Sequence, residues 1–180
     1  MGCASSSDHD NNDSQSITRC KELVKFVSKN DVEAVKQYII DDYSSLLQYA
    51  KHIEMMRYLL TKNVNPDPIF INGDHLLIKL CKEKNVNKDI VKALVDYGAN
   101  LEFKNREGKT AIMYLAQNKQ KDLIIYLLKK GADMFATDKQ GKSLNSYLDD
   151  ATLAEITLSL KNRRKSVSML SKEPVFDIKE

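Results

Sequence analysis

The residues with the sharpest chemical potential stand at the very start of the chain, Met1-Gly2-Cys3-Ala4-Ser5-Ser6. Removal of Met1 would expose an unbranched glycine amine followed by small residues, the acceptor pattern Met-Gly-x-x-x-Ser/Thr for N-myristoylation. Cys3 beside it offers a thiol to membrane-bound acyltransferases. A single myristoyl chain holds a protein to a bilayer only marginally, with a binding constant near ~10⁴ per molar, so stable anchoring takes a second signal. Residues 1–19 carry three Asp and one Arg, so no basic patch supplies it there. Dual acylation at Gly2 and Cys3 is the economical reading.

Other chemistry is harder to find. Gly108-Lys109-Thr110 and Gly141-Lys142-Ser143 end like phosphate-binding loops, but such a loop needs a glycine five residues before its Gly-Lys pair. Position 103 is Phe and position 136 is Ala, so the motif fails twice. Asp41-Asp42 and Asp149-Asp150 are adjacent carboxylates, and sequence neighbours do not face each other. No nucleophile elbow, His-Glu-x-x-His or kinase signature occurs. Cys3, Cys20 and Cys81 are odd in number and widely spaced, which argues against a disulfide framework and for a reducing compartment. Cys20 and Cys81 fall at apolar-periodic positions that suit packing. No Cys-x-x-Cys or His-x-x-x-His is present, and His9, His52 and His75 are scattered. No metal, cofactor or small-molecule substrate is expected, and the chain does not read as an enzyme.

Composition sets the frame for the elements. The chain has 180 residues, 42% of them hydrophobic, and a formal charge of +3. That is enough apolar content for a core and too little charge to commit a face to nucleic acid. The first twenty residues lack a cationic start and an apolar stretch of secretory length. The longest apolar runs, such as "LIIYLL" at 123–128, stop at Lys129-Lys130, far short of the ~18 residues a spanning helix needs.

The middle of the chain repeats. Gly98 and Gly131 lie 33 residues apart, as do Gly108 and Gly141, and in each unit the second glycine follows the first by ten. Asn63 and Gly73 show the same interval of ten. In "KDLIIYLLKKGAD", Leu123, Ile124, Leu127 and Leu128 have amphipathic-helix spacing. Lys129 and Lys130 suit the carbonyl end of its dipole, and Gly131 supplies the left-handed stop. Val91, Leu94, Val95 and Gly98 repeat the scheme, with Asn63 in the stop position one unit earlier. "NREG" at 105–108 and "DKQG" at 138–141 have the Asx-first, Gly-fourth order of a type I turn. Thr110 and Ser143 then stand where a cap for the next helix belongs. One unit reads turn, short helix, longer helix, glycine stop.

This pattern resembles the ankyrin repeat, most strongly over residues 98–141 and with weaker units over roughly 21–160. The resemblance implies an all-α, ankyrin-type helix-turn-helix solenoid of about five units. Residues 1–18 are expected to be a disordered acylation segment, 19–161 the array, and 162–180 a basic, mostly disordered tail. "KELVKFVSKNDVEAVKQYII" resembles a first unit without its turn, its helices joined at Asn30-Asp31. The third unit has a two-residue excess, placed in the loop "KEKNVNKD". The family's Thr-Pro-Leu-His signature reads Thr110-Ala111-Ile112-Met113 and, one unit earlier, His75-Leu76-Leu77-Ile78. The hydrogen bonds usually made by Thr and His are therefore partly missing.

The family mostly binds proteins. The function implied is a membrane-tethered adaptor at the cytoplasmic face of a membrane, the plasma membrane first, with a regulatory inhibitor of a partner enzyme as the alternative. By register, partner contacts fall on Ile71, Asn72, Asp74, Arg106, Glu107, Lys109, Gln117, Asn118, Lys139, Gln140 and Lys142. Phe70 and Ile71 put apolar residues at a tip that elsewhere is polar, to anchor a partner or to pack on "NPDP". Lys161, Arg163, Arg164 and Lys165 form a cluster able to press on an anionic leaflet. Phosphorylation at Ser166 and Ser168, just after the arginines, would neutralise it.

Overall fold

A computed structural model describes residues 13–38, 43–62, 64–70 and 72–170, with side chains placed between residues 21 and 161. Its α-helices are α1 (Asp13–Ser28), α2 (Val32–Lys36), α3 (Ile53–Leu60), α4 (Leu76–Lys82), α5 (Lys88–Asp96), α6 (Ala111–Gln117), α7 (Lys121–Lys129) and α8 (Asp150–Leu170). Short 3₁₀ segments at Ser44–Tyr49 and Leu144–Tyr147 take the inner-helix places of the second and fifth units. Among the described residues the one extended pairing is an isolated antiparallel bridge, Ile69 to His75. The expected all-helical array is the architecture observed.

Units three and four have the form the periodicity predicts, an inner helix of seven residues and an outer helix of nine. In α7, Leu123, Ile124 and Leu127 are fully buried, each contributing about 1.5–3 kcal/mol of transfer free energy. Inner helix α4 stacks on α6, and outer helices α5 and α8 flank α7. One continuous core therefore runs from Leu23 and Val27 to Ile156. The outer helices close with paired bonds, Ala99 N–H to Leu94 C=O and Gly98 N–H to Val95 C=O, repeated by Ala132 to Leu127 and Gly131 to Leu128. That arrangement needs the left-handed conformation the glycine stops supply.

The two-residue excess lies where it was expected. Five residues separate α4 from α5, and three separate α6 from α7. The first unit is joined at Asn30-Asp31, also as expected, with Asn30 at φ 62° and the Asp31 side chain capping α2 through Ala34 N–H. Lys119 takes the same conformation at the α6–α7 junction, at φ 55°.

Three expectations need correction. Thr110 and Ser143 occupy N-cap positions but make no side-chain cap bond. The Thr110 hydroxyl is buried without a partner, and the Met113 side chain, buried three residues on, offers it no nitrogen or oxygen. Helix α1 begins at Asp13, inside the segment expected to lack structure, where no Gly or Pro opposes a helix and an acid suits its first turn. Helix α8 continues to Leu170, past the expected boundary at 161, because the first breaker after Asp150 is Pro174. Gly2, Cys3, Asp41-Asp42, Asn63, Ile71 and Pro174 lie outside the described residues.

Candidate protein-interaction face

The turns are built as rigid fingers. In the fourth unit Gly108 N–H bonds Asn105 C=O at 2.9 Å and Asn105 N–H bonds Lys109 C=O at 3.1 Å. The Asn105 side-chain oxygen also accepts from Glu107 and Lys109 N–H. Asp138 repeats the pattern, accepting from Gln140 and Lys142 N–H at 2.8 and 2.9 Å. With their backbones locked, Arg106, Glu107, Lys139 and Gln140 are held out as exposed side chains. The two fingers are joined by a bond from Lys139 N–H to Glu107 C=O at 3.1 Å.

In the third unit Phe70 takes the Asx position. Asn72 substitutes for the missing side-chain acceptor, accepting from Asp74 N–H and donating its amide to the Asp74 carboxylate. Phe70 is half-buried against the core, with the Lys79 ammonium 4.5 Å from its ring centre. Phe70 thus packs locally. Among the described residues of this finger, Ile69 is the apolar side chain left in water, 69% exposed, and sequence register did not single it out.

A network lies under the fingers. Asp74, 3% exposed, accepts from Lys82 Nζ at 2.7 Å and from the Asn105 amide at 3.2 Å. The Asn105 amide also donates to the Tyr114 hydroxyl at 2.8 Å. Asp138 is bonded by the Tyr147 hydroxyl. Lys82 Nζ sits 4.9 Å from the Tyr114 ring centre, and Lys109 Nζ sits 5.5 Å from Tyr114 and 5.7 Å from Tyr147. Lys109 pairs with Glu107 at 2.9 Å. Burial pushes the Asp74 carboxyl up, but the bonds from Lys82, Asn105 and Asn72 outweigh it and leave its pKa below the ordinary range. The bond from Lys109 likewise holds Glu107 low.

Among the residues expected to meet a partner, Asn72, Arg106, Glu107, Gln117, Lys139, Gln140 and Lys142 are exposed and Lys109 is half-buried. Two were misassigned. Asp74 is buried and bound within the array. Asn118 is half-buried, and its amide donates to Cys81 C=O and Glu83 C=O, closing the longer α4–α5 loop. Ser166 and Ser168 lie on the α8 backbone, with side chains outside the described set. Lys79, Lys82, Tyr114 and Tyr147 were missed. Register could have found all four, since Lys79, Tyr114 and Tyr147 each follow a turn glycine (Gly73, Gly108, Gly141) by six residues and Lys82 follows Gly73 by nine, as Gln117 follows Gly108.

The opposite face spends its charges on itself. Lys88 pairs with Asp122 at 2.7 Å, Lys130 with Asp96 at 2.6 Å, and Lys121 with Glu155. The Tyr126 hydroxyl donates to Asp96 at 2.6 Å. Burial, reinforced by that bond, pushes the Tyr126 pKa up to about 12. Cys81 is fully buried, which raises its thiol pKa and leaves it a packing residue. Among the described residues no group of His, Cys, Asp or Glu is placed to hold a metal ion, and no helix is long and apolar enough to cross a membrane.

A stacked array of paired helices with turn fingers defines a repeat scaffold, and the comparisons with known proteins give its family. A family model for ankyrin repeats matches three copies over residues 20–138, and the chain belongs to the ankyrin repeat family. Its fold is similar to the crystal structure of the ankyrin repeat domain of Bcl-3, described as a unique member of the IkappaB protein family, with a TM-score of 0.56 at 19% identity. That likeness covers 62% of this chain and 50% of the other, so the chain spans about half the length of that structure. No curated protein matches the chain. Ankyrin repeats are protein-interaction scaffolds, and protein–protein interaction is the class of function this array carries.

Proposed function

We propose that the chain is a lipid-anchored adaptor, which holds a protein partner on its finger and inner-helix face at the cytoplasmic side of a membrane, the plasma membrane first. The observation that carries the reading is the asymmetry of the array. Lys88, Lys121 and Lys130 on the outer side are paired across units, whereas Lys139, Gln140, Lys142 and Gln117 are presented to solvent along one edge. Acylation at Gly2 and Cys3 supplies the anchor, on the strength of the Met-Gly-Cys start and the need for two lipid signals. The basic cluster Lys161–Lys165 adds attraction to an anionic leaflet at roughly 1 kcal/mol per basic residue near the surface. Phosphate on Ser166 and Ser168 would remove it, at about −1.5 to −2 charges each. The adaptor works by binding alone, with no catalytic step.

Proximity labelling of the intact chain and of Gly2→Ala tests the anchor and the adaptor together. An adaptor loses its membrane neighbours on release, whereas an inhibitor that masks a partner enzyme keeps its target in the soluble fraction. Mass spectrometry of the amino terminus should find lipid on Gly2 and Cys3. Membrane association of Gly2→Ala without lipid would defeat the anchor. Lys139→Glu with Lys142→Glu should abolish partner labelling while leaving thermal unfolding almost unchanged.

A further inference from the structure

We propose that the inner face binds an extended acidic segment of the partner protein, and that Glu107 fills the cation site while the segment is absent. The inference rests on the adaptor reading and names the chemistry of its partner. Phe70, Tyr114 and Tyr147 place one ring on this face in each of three successive units, and Lys79, Lys82 and Lys109 lie over those rings. Lys142 occupies in the fifth unit the register position of Lys109 and is exposed. Two of the opposing carboxylates, Asp74 and Asp138, are buried and held by Lys82 and Tyr147. With Lys82 committed to Asp74 and Lys109 to Glu107, Lys79 and Lys142 remain as exposed cations on this face.

Pitch selects the form of the ligand. Stacked helices lie about 8–10 Å apart, and an extended polyproline-type chain advances about 9 Å every three residues. An acidic residue at every third position would therefore meet the cations of successive units, with apolar residues between them against the ring edges. Asp150 stands at the register position of Lys82 and Gln117, so the basic strip ends at the fifth unit. Single-stranded nucleic acid also uses rings and cations, but by stacking bases on open ring faces. Here ammonium groups already lie over those faces.

Glu107 is the internal stand-in. Its carboxylate bonds Lys109 from a side chain that is 57% exposed, so an incoming carboxylate can take its place at Lys109 and return it to water. Removing the Glu107 charge should therefore strengthen binding, which a structural ion pair would not predict.

The test is selection of phage-displayed random dodecapeptides on the full-length chain. The expected winners are enriched in Asp and Glu at three-residue spacing. Their affinity should fall about tenfold with Lys109→Gln or Lys142→Gln, rise severalfold with Glu107→Gln, and weaken with salt. Thermal melts of Lys142→Gln and Glu107→Gln, both exposed positions, should match the parent. Winners without acidic enrichment, no winners at all, an unchanged or weaker affinity for Glu107→Gln, or displacement of the peptide by equimolar single-stranded RNA would each overturn the proposal. If it falls while proximity labelling still finds a partner lost on Lys139→Glu with Lys142→Glu, the adaptor stands with a partner of other chemistry. If labelling finds no partner, the adaptor reading itself fails.

Discussion

The outer helices and the finger face are both rich in lysine, but they hold the charge in different ways. On the outer side Lys88 and Asp122, 46% and 68% exposed, pair across neighbouring units in water. On the finger side Lys82 reaches a carboxylate whose side chain is 5% exposed, and Lys109 lies between two tyrosine rings. Water and salt screen the first kind of pair almost completely. The second kind is partly desolvated, so each group depends more on its neighbours being present. One residue type therefore does opposite jobs, solubilising one face and organising the other.

The largest expected effect tests whether the fingers are packed as a unit. Gly108 and Gly141 both have φ of 76°, so an added side chain strains each by about 1–2 kcal/mol. A Cβ at Gly108 would also lie 2.7 Å from the Lys139 backbone nitrogen, whereas nothing comes within 4 Å at Gly141. Gly108→Ala must push the next finger away and break its bond to Glu107 C=O, for a total of about 3–4 kcal/mol. Gly141→Ala should stay near the lower figure. Urea unfolding of the two variants separates them, and equal losses would mean that the fingers do not support each other.

Asp74→Asn comes next, at about 2–3 kcal/mol, because it removes a buried charge-assisted bond and leaves Lys82 unpaired. Its pH dependence has a definite sign. The folded-state pKa of Asp74 lies below its ordinary 3.8, so the stabilisation is present above about pH 4 and is lost as pH falls through the folded value. Lys82 lies above its ordinary 10.5, since its bond to Asp74 and the Tyr114 and Asp74 charges outweigh desolvation. That contribution is complete below about pH 10 and is lost as pH rises through the folded value. The difference between parent and variant should therefore be flat from about pH 5 to 9 and shrink toward acid. A difference that grows on acidification would put the carboxylate's importance elsewhere.

The same division explains what could be read from the residues alone. Helix pairs, glycine stops, turns and the loop excess after α4 were legible because each depends on φ, helical period or turn chemistry within about ten residues. The burial of Asp74 was not, because Asn105, 31 residues away, and the packing of neighbouring units decide it. Asn118 looked exposed for a similar reason, its two acceptors lying 37 and 35 residues back. Thr110 shows how a local rule can place a residue correctly and still miss its chemistry. It stands at the N-cap with its hydroxyl buried and unpartnered, so Thr110→Val, nearly isosteric, should stabilise the array by about 1 kcal/mol. A loss of stability in thermal melts would reveal a cap bond or a bound water at that hydroxyl.

The smallest effect belongs to the outer face. Lys88→Gln removes an ion pair that joins units three and four, yet both partners are about half exposed or more. An exposed pair gains little Coulomb energy in water and costs side-chain freedom, so the loss should be about 0.5 kcal/mol or less and vanish at 1 M salt. Ile90, Val91 and Leu94 of the same helix stay buried against the core, and they carry the joint between the units. A loss above about 1 kcal/mol that persisted in high salt would mean that the outer pairs are organised as tightly as the network under the fingers. The two faces would then differ only in which of them is open to a partner.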